Sequence, residues 1–120
     1  IAISSTKQCG RSCLPVISPP SQFSHYIETE SSSAEQKLLL LEPNRDILKD
    51  KTTPRQQLAS PSSPRTASIA IGPEGGWTDE EIRLAQNRHY IPLTLGTNTL
   101  RSEAVPAIAL SVLRFMWSDF

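Results

Sequence analysis

Apolar residues fall in short blocks along the chain, separated by polar stretches rich in Pro, Ser and Gly. Residues 37–41, 67–71 and 91–95 are runs of strand length, bounded by turn-forming residues. Between the second and third runs the spacing predicts a helix starting at Thr78. Thr78 and Glu81 form an S/T-x-x-E capping box, and Trp77 and Ile82 stand where apolar side chains pack across a helix start. Asp79 and Glu80 add negative charge at the positive end of the helix dipole. A final helix is predicted from Val105, Ile108, Ala109, Val112, Leu113 and Met116, which share one face. Pro106 is compatible with it only in the first turn.

The amino-terminal third carries weaker patterns. Residues 1–10 read as the tail of a helix closed by Gly10, a residue suited to a left-handed cap. An apolar piece, 14–17, is bounded by Pro19 and Pro20, after which Phe23, Tyr26 and Ile27 predict a short helix over 20–28. Residues 43–66 are dense in Pro, Ser, Thr and charge, and Pro54, Pro61 and Pro64 exclude a long helix or a central strand. That segment is expected to be a polar loop. Its Lys49, Lys51, Arg55 and Arg65 could touch phosphates, but without interleaved aromatics they read better as solvated charge.

Strand, helix, strand and helix in close succession imply an α/β class with a parallel sheet and flanking helices, because parallel neighbours need crossover connections. Ligands of such sheets bind beyond the carboxyl ends of the strands. Both glycine-bearing turns, 72–76 and 96–99, fall there.

A chain of 120 residues with 38% hydrophobic content suits one domain with a modest core. Twelve Lys and Arg balance twelve Asp and Glu, so no overall charge draws the chain to nucleic acid. Any RNA affinity must come from local patches or from another segment. With no apolar run of membrane-spanning length and no signal-like start, a cytoplasmic protein without a membrane partner is expected. The chain lacks an initiator Met and opens on an apolar stretch, so it reads as part of a longer polypeptide. Cys9 and Cys13, four apart, are read as ordinary thiols, with no disulfide expected. His25 and His89 show no ligand spacing, and no metal site is expected.

Two loops carry candidate chemistry. The first, Ile69-Ala-Ile-Gly-Pro-Glu-Gly-Gly76, lacks both the GxGxxG spacing of dinucleotide sites and the Lys-Ser/Thr of phosphate loops. Its glycines permit close approach of a ligand to the backbone, yet a turn of this kind serves equally as a structural reversal. The second places Leu95 and Gly96 at a strand end and Leu100-Arg101-Ser102-Glu103 at a helix start. Arg101 could stabilise an anionic base or phosphate, and Glu103 sits where carboxylates stay ionised. A simple Arg–Glu contact or helix capping accounts for the pair as well.

Together, IGPEGGW-T-x-x-E and LGTNTLRSEA resemble the ribosomal RNA small subunit methyltransferase E family of the SPOUT superfamily. The early Gln8-Cys-Gly-Arg-Ser-Cys-Leu-Pro15, followed by Pro19-Pro20, is similar to that family's glutamine-x-x-arginine-x-x-x-proline stretch. The likeness spans nearly the whole chain except 43–66. It implies S-adenosylmethionine as cofactor, methylation of uracil N3 in 16S ribosomal RNA of the small subunit, a homodimer, and a carboxy-terminal trefoil knot. It also implies that this chain is the carboxy-terminal part of the methyltransferase, with the family's PUA-like RNA-binding domain absent. By carry-over, Ile71, Gly72, Glu74, Gly75, Gly76, Leu95, Gly96 and Leu100 would contact the cofactor. Arg101 and Glu103 would be catalytic, Arg101 stabilising the uracil oxyanion and Glu103 orienting Arg101 or accepting a proton. Ser102 and Ala104 depart from the threonines of the family pattern. A non-catalytic dimerising module and a methyltransferase acting on another RNA are the rival expectations.

Overall fold

The computed structural model describes residues 1–29, 33–43, 45, 58 and 63–118. Among them the elements are α1 (Ala2–Gln8), α2 (Phe23–Thr29), β1 (Gln36–Leu40), β2 (Ala67–Ile71), α3 (Asp79–Asn87), β3 (Ile91–Leu93) and α4 (Val105–Met116). The strands form one parallel sheet in the order β2-β1-β3, with Leu38 of β1 opposite Ile69 on one side and Ile91 on the other. The passage from β2 through α3 to β3 therefore crosses over β1, the connection that parallel strands require.

The leucine run makes sense at this central position. A strand covered on both faces needs apolar residues at every position rather than at alternate ones. Leu38 and Leu40 pack with Leu93, Ala109 and Leu113, the last two from α4. Leu39 and Leu41 face the other way, into a cluster with Ile27 of α2, Trp77, and Ile82 and Ala85 of α3. The side-chain period of two thus divides one leucine run between two cores, giving helix, sheet and helix layers. Burying each leucine contributes about 1.5–3 kcal/mol before conformational entropy is subtracted.

Helix α3 begins as its sequence predicts. Glu81 N–H donates to Thr78 Oγ1 at 3.2 Å, and Thr78 N–H donates back to Glu81 Oε2 at 2.8 Å. Trp77 and Ile82 share one cluster, which fixes the angle at which the chain enters the helix. At the other end, His89 N–H donates to the Gln86 carbonyl (2.9 Å) and Tyr90 N–H to the Ala85 carbonyl (3.0 Å). This is a Schellman closure with His89 in the left-handed position at φ 66°. It turns Tyr90 into the core, where its hydroxyl meets Ser68 Oγ at 2.9 Å. The predicted closure of α1 by Gly10 has the same form, with Gly10 N–H on the Lys7 carbonyl and Arg11 N–H on that of Thr6.

Several boundaries differ from expectation. The third strand ends at Leu93 rather than Leu95, because the last ladder bond, Leu41 N–H to the Leu93 carbonyl (2.8 Å), is followed on β1 by Pro43, which has no N–H to offer. Helix α2 starts at Phe23 rather than Pro20, with Gln22 supplying the carbonyl for Tyr26 N–H (3.0 Å). The 14–17 piece joins no strand, and Leu14, Val16 and Ile17 are exposed. Val112 of α4 lies outside the buried face formed by Ala109 and Leu113. Most of the 43–66 loop lies outside the described residues. Within it, Leu58 is buried against the α4 side of the sheet, and Arg45 meets Glu42 (3.5 Å) and Asp79 (3.3 Å).

Cys9 and Cys13 are free and exposed. Among the described residues no cluster of three or more His, Cys, Asp or Glu side chains could hold a metal, and no helix is long and apolar enough to cross a membrane.

Candidate functional site

All three strands point their carboxyl ends to the same edge of the sheet, and a cavity of about 310 Å³ opens there. Leu40, Leu41 and Ile71 contribute from the strand ends, Gly72, Pro73 and Glu74 from the loop after β2, and residues 94, 95 and 98–102 from the loop after β3. Val105 closes it from the start of α4. Parallel strands end in backbone groups that the sheet no longer pairs, so this edge offers hydrogen bonds as well as apolar walls. The volume is at the lower end of the range of about 300–1,000 Å³ for small-molecule pockets.

The first loop is held in shape from behind. Gly76 N–H donates to the Pro73 carbonyl at 2.9 Å, closing a turn in which Gly76 has φ 76°. A Cβ at this position would also run into the Glu42 carboxylate, with Cδ at 3.0 Å. Glycine is thus required twice, by conformation and by space. Gly72 is constrained by proximity alone, since a Cβ there would stand 2.8 Å from the Trp77 indole nitrogen. That indole N–H donates to the Leu40 carbonyl at 2.9 Å and ties the loop to the end of the central strand. Arg45 completes the brace, bonding the Trp77 carbonyl, Asp79 Oδ1 and Glu42.

The second loop runs directly into α4. The Arg101 carbonyl accepts from Ala104 N–H (2.9 Å) and Val105 N–H (3.3 Å), so helical bonding begins one turn before the helix proper. The two loops meet where Ser102 Oγ donates to Glu74 Oε1 at 2.8 Å. Glu74 is fully exposed, and its carboxyl is held below the ordinary range first by a hydrogen bond from its own backbone N–H and second by Ser102.

Of the residues singled out from sequence, Ile71, Gly72, Glu74, Leu95, Leu100 and Arg101 line this cavity. Gly75, Gly76 and Gly96 belong to the same turns without lining it. Glu103 is exposed and off the lining, and no ion pair joins it to Arg101 among the described residues. Sequence reasoning overlooked Glu42, Asn98, Thr99 and Ser102 on the wall. The signal for Glu42 was present: it follows the central strand, and ligands gather at the carboxyl end of that strand as much as of its neighbours.

A family model described as an RNA methyltransferase domain matches residues 1–114. Ribosomal RNA small subunit methyltransferase E of Buchnera aphidicola is 28% identical over 120 residues, all of this chain and 44% of that protein. The Synechocystis protein of the same name is 31% identical over 112 residues, 92% of this chain and 35% of the relative. The chain therefore spans less than half the length of these relatives. Among solved structures, Lpg2936 of Legionella pneumophila, determined with S-adenosylmethionine bound, superimposes with a TM-score of 0.77 at 33% identity, covering 95% of this chain and 43% of that one. Ribosomal RNA small subunit methyltransferase E from Neisseria gonorrhoeae, also bound to S-adenosylmethionine, gives 0.73 at 28%, covering 97% and 45%. With the match running through both cavity loops and nearly the whole chain, the chain belongs to the RNA methyltransferase domain family.

Proposed function

We propose that the strand-end cavity binds S-adenosylmethionine and that the protein transfers its methyl group to N3 of a uracil in 16S ribosomal RNA of the small subunit. The observation that carries this reading is the cavity itself, apolar at Leu40, Ile71, Leu95 and Leu100 and polar at Glu74, Asn98, Arg101 and Ser102. A nucleoside-bearing ligand needs both kinds of wall, one to flank the flat base and one to bond its hydroxyl and amino groups. The cofactor supplies an electrophilic methyl on a positively charged sulfur. The contacts proposed for it are Ile71, Gly72, Glu74, Gly75, Gly76, Leu95, Gly96 and Leu100.

Uracil N3 is a nucleophile only when its proton is lost and the charge spreads to the ring oxygens. Stabilising that charge and holding the nitrogen in line are therefore the residues' main tasks. Arg101 lies on the cavity wall, and the planar fork of donors on a guanidinium suits it to the oxyanion. Glu103, exposed beside it in the chain, is assigned to orienting Arg101 or accepting the proton when the RNA is seated. Apo geometry often tightens only in the complex.

In this reading the fold is of SPOUT type, with α4 threaded to form a trefoil knot. The part of the relatives outside the match is the place for a PUA-like RNA-binding domain, consistent with the neutral charge of this chain. Leu110 and Phe115, exposed at 55% and 73% on α4, suit a homodimer face. A cytoplasmic location follows from the substrate. The test is methyl transfer to small-subunit RNA with Arg101→Ala. The expected result is loss of at least about a hundredfold in kcat, the scale on which removal of an oxyanion donor acts, with S-adenosylmethionine affinity nearly kept. Near-normal turnover would remove Arg101 from the mechanism.

A further inference from the structure

The hydrogen bond between Ser102 and Glu74 joins residues 28 apart in sequence and bridges the two loops that wall the cavity. Being exposed, it adds little to global stability, since water competes for both partners. Its position gives it another use. Ser102 directly follows Arg101, whose carbonyl is already engaged by the first turn of α4. Glu74, for its part, stands in the turn closed by the bond from Gly76 N–H to the Pro73 carbonyl at 2.9 Å. Each end of the bridge is thus fixed to a rigid element, α4 on one side and the braced turn after β2 on the other.

We propose that Ser102 and Glu74 form a clasp that sets the spacing of the two loops around the cofactor and positions Arg101 beside it. Ser102 is a positioning residue, Glu74 adds this role to its proposed contact with the cofactor, and the inference rests on the cofactor reading above. The clasp needs a hydroxyl at 102 and an oxygen acceptor at 74, but no negative charge. A Thr at 102 supplies the same hydroxyl, and a Gln at 74 supplies an amide oxygen in nearly the same place.

The test is a double-mutant cycle on S-adenosylmethionine affinity, measured by calorimetry, with thermal midpoints recorded alongside. Ser102→Ala is expected to weaken binding about three- to tenfold, the range of one ordinary hydrogen bond, and Glu74→Ala by at least as much. The double variant should be no weaker than Glu74→Ala alone, and all midpoints should stay close to that of the unaltered protein. Ser102→Thr should bind within about twofold of it, well inside the loss expected for one hydrogen bond. Losses that multiply in the double variant, alanine variants that bind normally, or a Ser102→Thr variant as weak as Ser102→Ala would overturn the clasp while leaving the cofactor reading intact. Absence of binding to the unaltered, folded protein would overturn both.

Discussion

Two adjacent glycines should respond oppositely to the same substitution. At Gly76 the backbone is left-handed, φ 76°, and a Cβ would press on Glu42, whose Cδ lies at 3.0 Å and Oε2 at 3.2 Å from its position. A non-glycine residue in that conformation costs about 1–2 kcal/mol. Displacing the Glu42 carboxylate from Arg45, a half-exposed pair, costs up to about 1 kcal/mol more. Gly76→Ala is therefore expected to destabilise by about 1–3 kcal/mol, at about 3–6 °C of midpoint per kcal/mol for a chain of this size. At Gly75 the φ is outside the left-handed region and a Cβ would meet nothing within 4 Å. Gly75→Ala should be neutral or stabilising by about 0.4–1 kcal/mol, through a less flexible unfolded chain. Urea unfolding followed by tryptophan fluorescence reports both, since Trp77 is buried beside the turn. Equal midpoints for the two variants would refute this account of the turn, and with it the shape assigned to the cavity wall.

Thr78→Ala removes one half of the capping box and should cost about 1 kcal/mol, within a range of about 0.5–2, in the same unfolding assay. His89→Gly relieves a left-handed non-glycine residue at the end of α3 and should stabilise by about 1 kcal/mol. Glu74 should titrate below ordinary glutamates when its side-chain carbon is followed by NMR, and Ser102→Ala should raise that midpoint only partly, because the larger cause is its own backbone N–H. The sign is that of a depressed carboxyl: whatever it contributes is present at neutral pH and lost as pH falls through the acid range below the ordinary glutamate value. A Glu74 midpoint at or above the ordinary value contradicts the hydrogen bonds described.

What could be read from sequence was what depends on near neighbours. The capping box of Thr78 and Glu81 and the Gly10 closure involve residues within one turn of each other, so spacing alone revealed them. The parallel sheet followed from the alternation of strand and helix patterns. The leucine run announced a strand, but not that Leu39 and Leu41 face α2 and α3 while Leu38 and Leu40 face α4, which depends on β1 being central. The Ser102–Glu74 bond was hidden because it joins residues 28 apart, whereas Glu42 was overlooked although it follows the central strand. Helix closure at His89 was missed for a different reason: the position favours glycine, and nothing local marks a histidine there. Leu58 escaped notice inside a stretch whose prolines and charges dominate its composition.

S-adenosylmethionine is proposed to occupy the cavity at the strand ends. Calorimetric titration of the cofactor into the folded protein and into a Leu95→Trp variant tests it most directly, because Leu95 lines the cavity and an indole there would fill part of it. Saturable binding of one cofactor per chain is expected, with at least about a tenfold loss in the variant, as a steric block at a ligand wall should produce. No binding to the folded protein, or undiminished binding once the cavity is filled, would contradict it.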